Sequence, residues 1–340
     1  MNDYLIETEL CDWNNEEILK LADELKSKSS DKREYAVNAF YWVRDNIFYS
    51  MEQIWRASDA LRLRKGNCWS KSNLLVGLCR ANNISAQFQV QFISGDATSD
   101  LTPHFGASFK YKLPHTSALI HLNNKWLRAD CTRDKYLSPD RAYDFDGYED
   151  TPVHPYLIKN GPSVPDLKEI AEQQIKRMKR IQKFAKYIKL LRILDWGMYM
   201  WAIDVDEIRF KNSGVRTISD EEAEEIYKKV YEYASKQFKI KRKGNIKVGG
   251  FVLKRLRNLI GMKGDAVSIT KNRCEIEGNR GFPGRCYNVG MSLMNGLFHG
   301  INPSMHWSMN DDEDILHGII ESDGEGSYLL PMIEVMRQFI

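Results

Sequence analysis

Between Ser85 and Gly95 the chain alternates Phe88, Val90 and Phe92 with Gln87, Gln89 and Gln91, and that period of two predicts a half-buried strand. Before it the period is helical. Ile18, Leu19, Leu21 and Leu25 line one face of residues 14–28, which open on Asn14 and Asn15 as N-cap candidates. Tyr35, Ala36, Ala39, Phe40, Val43 and Ile47 make a broad apolar stripe through residues 31–50. A third helix is expected to start at Cys68, carry Leu74, Leu75, Leu78 and Cys79 inward, and end where Asn82 or Asn83 takes the left-handed region. After the alternating strand, residues 117–132 read as two strands joined at Asn123-Asn124, a pair that tolerates the positive φ of a tight hairpin. Three helices followed by hairpin-linked strands predict an α+β fold, with helices packed on one face of an antiparallel sheet.

Four prolines, at 152, 155, 162 and 165, then suggest a connection and a boundary, dividing the chain into residues 1–160 and a helix-rich region, 161–340, of unassigned fold. Residues 166–194 read as a long helix with Ile175, Met178, Ile181, Ala185, Ile188 and Leu191 on its apolar stripe. Ser219 heads a further helix to about residue 238, with acids in its first turn as the helix dipole prefers. The glycine-rich stretch from residue 278 to 303 shows no repeat, heptad or phosphate-loop spacing.

Composition narrows the class. With 43% apolar residues, 340 residues can build a sizeable core, and a net charge of +3 from 49 basic and 46 acidic residues does not imply a general polyanion-binding surface. The N-terminal stretch is acidic where a signal peptide would be basic and apolar, and no segment reaches the ~18 apolar residues of a membrane span, so a cytoplasmic location is expected. Six cysteines, at 11, 68, 79, 131, 274 and 286, are too sparse for a disulfide scaffold, and the absence of a CxxC pair argues against structural zinc. No cofactor or metal is expected.

The chemistry concentrates at one thiol. A cysteine is a nucleophile as thiolate, which a helix N-terminus and a nearby imidazole favour. Gly66-Asn67 breaks the chain just before Cys68, placing it where unpaired N–H groups point outward and could also stabilise an oxyanion. All seven histidines lie downstream. A hairpin turning at 123–124 sets position 117 opposite 130, so Asp130 comes within reach of His115 and could fix its tautomer. His121 and His104 are the alternative bases. Cys79, eleven residues after Cys68, reads as a small core residue. Gln53, Trp55 and Trp69 are candidates for an oxyanion site or substrate wall, although an aromatic near a helix start also suits the core.

From "EYAVNAFYWVRDNIFYS" through "ALRLRKGNCWSKSNLLVGLCRANNISAQFQVQFISG" to "HTSALIHLNNKWLRADCTRD", residues 34–134, the chain resembles the transglutaminase-like superfamily of papain-type cysteine enzymes. The resemblance implies a Cys-His-Asp triad of Cys68, His115 and Asp130 acting on an amide or thioester through an acyl-thioester. It also implies a choice between peptide hydrolysis and amide formation from a carrier-bound acyl thioester. A non-catalytic binding protein of the same fold is the alternative. The calcium used by the animal crosslinking branch finds no suitable acidic loop.

Two features lie outside that core. Lys176, Arg177, Lys179, Arg180, Lys183, Lys186, Lys189 and Arg192 make a basic helix, read as a solvated face or as a dock for an acidic carrier or partner protein, with nucleic acid the less favoured ligand. A second basic cluster spans 236–247. Cys274, Cys286, His299, His306 and His317 form no recognised metal-ligand motif, so this region is expected to complete the fold, cap the cleft, or bind substrate or partner rather than hold a metal.

Overall fold

Short polar caps start the helices. The computed structural model describes residues 4–101, 112–185, 193–237, 263–269, 273–279, 284–301, 305–312 and 315–322. Asn15 accepts from the Glu17 N–H at 3.0 Å to open α1, Glu16–Ser27, and Asp31 accepts from the Glu34 N–H at 2.7 Å to open α2, Lys32–Asn46. A two-residue strand β1, Phe48–Tyr49, pairs in parallel with β2, Lys65–Gly66, across a short helix α3, Ala57–Leu63. Helix α4, Cys68–Ala81, follows at once, and Asn83 at φ 54 turns the chain out of it.

The sheet is antiparallel, in the order β5-β4-β3-β6: β3 is Ala86–Ser94, β4 Lys112–Leu122, β5 Lys125–Ala129 and β6 Leu157–Val164. Asn123 and Asn124, at φ 48 and 63, make the tight turn between β4 and β5, and Ala118 pairs with Ala129. Phe88, Val90, Ala118, Ile120, Leu127 and Ala129 pack with Leu74, Leu75, Leu78, Tyr35 and Phe40 in one buried core. This is the expected α+β arrangement of helices on an antiparallel sheet. Each fully buried Leu or Phe there contributes roughly 1.5–3 kcal/mol of transfer free energy.

Strand β6 runs through what the prolines suggest is a connection. Proline suits it because β6 is an edge strand and its pairing shifts register between Gln89 and Gln91, which accommodates Gly161-Pro162 as an irregularity.

Two buried cations tie the elements together. Lys71, in the second turn of α4 and 0% exposed, donates to the carbonyls of Arg44 at 3.0 Å and Ile47 at 2.6 Å, capping the end of α2 against the start of α4. Arg80 donates to the carbonyls of Ile6, Ala86 and Pro165, joining the chain's lead-in, the start of β3 and the exit of β6.

The chain divides into two compact units, residues 1–183 with 208–217 and residues 184–207 with 218–340. Helix α5, Lys168–Ala185, covers the first part of the expected 166–194 helix, with Lys176, Arg177, Lys179 and Arg180 exposed; residues 186–192 lie outside the described residues. Helix α6, Ile193–Ser213, lacks a strong apolar stripe and so left no periodic signal. Ser219 caps α7, Asp220–Gln237, accepting from the Glu222 N–H at 3.1 Å; most of the 236–247 cluster lies outside the described residues.

The second unit also holds a four-stranded antiparallel sheet that the glycine-rich sequence obscures. Its strands are β7, Lys263–Ile269, β8, Arg273–Asn279, β9, Met305–Asp312, and β10, Ile315–Ser322, in the order β7-β8-β10-β9, with α8, Gly284–Ile301, between β8 and β9. In that sheet His306 pairs with Glu321 and His317 with Asn310, so the two histidines occupy separate registers. Among the described residues no group of three or more His, Cys, Asp or Glu could hold a metal ion, and no helix is long and apolar enough to cross a membrane.

Candidate active site

Cys68 is the first residue of α4. Asn67 caps the helix with the Trp69 and Ser70 N–H groups at 2.9 and 3.3 Å, and the Ser70 hydroxyl accepts the Asn67 N–H at 3.1 Å, completing a capping box. The cap takes the N–H groups of the two residues after Cys68 and leaves that of Cys68 outside its bonds. Gly66 is required by packing: a Cβ there would stand 2.6 Å from Ser70 Oγ and 3.2 Å from Lys71 Cγ. The Asn67 amide also donates to the Glu52 carbonyl at 2.9 Å, and Asn73 to that of Trp55 at 3.0 Å, so α4 holds the preceding loop against itself. Asn67→Ala is expected to lower stability by about 1–2 kcal/mol. Thermal unfolding checks this, and an unchanged midpoint would remove the cap from the account.

His115 sits on β4 and Asp130 one residue beyond β5, where continuing the 118–129 pairing sets 117 opposite 130. His115 Nε2 lies 2.8 Å from Asp130 Oδ2, with His115 4% and Asp130 5% exposed. Asp130 Oδ1 accepts the Thr132 N–H at 3.1 Å, and the Asp130 N–H donates to Thr151 Oγ1 at 3.1 Å. The Cys68 thiol is half-buried, and α4, which carries it, is tied to β4, the strand of His115, by the hydrogen bond from Ser72 to the Thr116 carbonyl. Burial alone would strip both charges from the pair. The mutual attraction prevails, raising His115 to about 10 and holding Asp130 well below the usual carboxylate range, with the Thr132 hydrogen bond adding to the effect. Cys68, His115 and Asp130 are therefore brought together.

His121 packs its ring on Trp126, 5.0 Å between centroids, near the turn end of the hairpin, and His104 lies outside the described residues. Trp69 is buried with its ring 5.5 Å from that of half-buried Trp55, and Gln53 is exposed on the loop that α4 holds. Cys79 is fully buried in the core, where desolvation raises its pKa.

Three features escape sequence reasoning. Ser72, one turn below Cys68, donates to the Thr116 carbonyl at 3.2 Å, joining the cysteine helix to the strand of the histidine. His154 lays its ring 5.3 Å from that of His115; burial, followed by the His115 charge, pushes it down to about 4, so it stays neutral. The prolines on either side, Pro152 and Pro155, were the available signal. Behind the site, Asp134 (0% exposed) and Arg209 (1%) form an ion pair at 3.2 Å.

Residues 19–131 match the family model of the transglutaminase-like superfamily. Among curated proteins none matches the chain. A solved structure of a Cytophaga hutchinsonii protein described as a candidate cysteine protease is similar at 20% identity and a TM-score of 0.33, over 48% of this chain and 47% of that one. The chain thus spans about half the length of that relative. The transglutaminase-like match supports a cysteine-enzyme family, and it contains Cys68 and His115 and reaches just past Asp130.

Proposed function

We propose that the transglutaminase-like domain is a thiol-dependent acyl-transfer enzyme that forms an acyl-thioester on Cys68 and passes the acyl group to water or an amine. The observation that supports it best is the buried 2.8 Å His115–Asp130 pair on the strand that Ser72 ties to α4, whose first residue is Cys68. Because Asp130 takes Nε2, Nδ1 is the ring nitrogen left to serve the thiol.

The Cys68 thiolate attacks the carbonyl carbon of an amide or thioester, and the S–C bond forms. Negative charge gathers on the carbonyl oxygen, where the Cys68 N–H and the start of α4 stabilise it. The adduct collapses as the bond to the leaving nitrogen or sulfur breaks, and His115 delivers its proton to that atom. Water or an amine then gives a proton to His115 and attacks the thioester carbonyl. Cleavage of the S–C bond returns the thiolate beside an imidazolium.

Alkylation of Cys68 by iodoacetamide, followed by peptide mass spectrometry from pH 5 to 9, tests the pair. At pH 6 the wild type is expected to react more than about tenfold faster than His115→Ala, because the variant lacks the imidazole that would activate the thiol. Equal rates at every pH would make the arrangement a packing accident and leave a binding protein of this fold.

A further inference from the structure

We infer that Arg133 and Arg141 form an anion-recognising rim beside Cys68, so that the acyl donor carries a carboxylate or similar anionic group near its reacting carbonyl; this rests on the acyl-transfer reading above.

Both arginines are placed by the site itself. Arg133 lies three residues after Asp130, just beyond the Thr132 N–H that binds the Asp130 carboxylate, and its guanidinium stacks 5.3 Å over the ring of Tyr49. Tyr49 in turn pairs with Gly66, two residues before Cys68. Arg141 stacks 5.3 Å over Tyr156, whose N–H donates to His154 Nδ1 at 3.2 Å, and His154 faces His115. One guanidinium therefore approaches through Tyr49 and the other through Tyr156 and His154.

The two share a single carboxylate. Arg133 Nη1 and Arg141 Nη1 both reach Asp100 Oδ2 at 3.3 Å, and Arg133 Nη2 reaches Oδ1 at 3.3 Å. Charge-assisted bonds of this type favour about 2.7–2.9 Å, so these are long for their class. Two positive charges meet one negative, which leaves the cluster one charge in surplus. Arg133 spends other donors on the Ala97 carbonyl and Ser138 Oγ, which fix it in place. Among the described residues Arg141, by contrast, has a 3.5 Å approach to the Tyr156 hydroxyl besides Asp100, and toward those residues its guanidinium retains N–H groups for a ligand. The side chains of Asp100 and Arg141 are 37% and 22% exposed, so the rim is open to an incoming anion. A planar fork of this kind suits a carboxylate better than a point charge would.

Iodoacetate and iodoacetamide differ in charge at nearly equal size, and the ratio of their rates at Cys68 in the full-length protein reads the local potential. His115 is present in every protein compared, so its own charge cancels. Arg141→Gln is expected to lower the iodoacetate-to-iodoacetamide ratio by about threefold or more, and Asp100→Asn to raise it by a similar factor. Arg141→Lys should retain most of the wild-type ratio. Opposite shifts from two partners of one ion pair are not what a loosened loop produces. A ratio unmoved in both Arg141→Gln and Asp100→Asn, or moved the same way, overturns the rim. Failure of the acyl-transfer reading shows separately, as an iodoacetamide rate that ignores His115→Ala.

Discussion

Arg209→Ala is expected to destabilise the first unit by about 3–5 kcal/mol, because it leaves a carboxylate buried without its counter-ion. Asp134 is fully buried and has accepted two backbone donors, Tyr49 N–H at 2.8 Å and Leu137 N–H at 2.9 Å. Burial pushes that carboxyl up, and Arg209, with help from Lys71, brings it back below its ordinary value. Arg209 also donates to the Tyr49 carbonyl at 2.8 Å and to Thr217 Oγ1 at 2.9 Å, so its loss strands further polar groups. Urea unfolding gives the comparison. Replacing both partners, as Arg209→Met with Asp134→Leu, should recover only the part of the loss that comes from the unpaired charge, because the Tyr49 and Leu137 N–H groups then lose their acceptor. A loss under about 1 kcal/mol for Arg209→Ala would mean that water reaches the pair.

The parts of this site that were legible in the sequence depend on local signals. Alternation through Phe88, Val90 and Phe92 marks β3, the Gly66-Asn67 break marks the start of α4, and Asn123-Asn124 marks the turn. Once that turn is located, strand geometry alone sets 117 against 130 and carries Asp130 to His115. The illegible parts depend on partners far along the chain. Lys71, Arg80 and Arg209 read as ordinary surface charges until the carbonyls and carboxylate that hold them are known; Arg209 and Asp134 are 75 residues apart. Helix α3 has seven residues, too few to show a period, and β6 hides behind prolines that an edge strand can tolerate. His154 belongs with these, since nothing local to it says that a strand histidine lies under its ring.

Asp130→Asn should leave the fold standing and remove most of the turnover. An asparagine amide can present its N–H₂ to Nε2, which would turn the imidazole to the wrong tautomer, with Nδ1 protonated when the thiol needs a base. The steady-state release of p-nitrophenolate from p-nitrophenyl acetate, which requires Cys68 to be acylated and then deacylated, is expected to fall by about 10²–10⁴-fold. The same substitution has a pH signature. With its folded pKa raised from 6.5 to about 10, His115 contributes stability that is fully present below pH 6.5 and lost as pH rises through 10. Asp130, held below its ordinary value, contributes stability present above pH 3.8 and lost as the medium becomes more acidic. Wild-type stability should therefore decline between pH 6.5 and 10, and in Asp130→Asn that decline should flatten, because the charge that raised His115 is gone. Turnover within about threefold of wild type would remove Asp130 from the chemistry. An unaltered pH profile of stability would show instead that the 2.8 Å contact does not govern the protonation of His115.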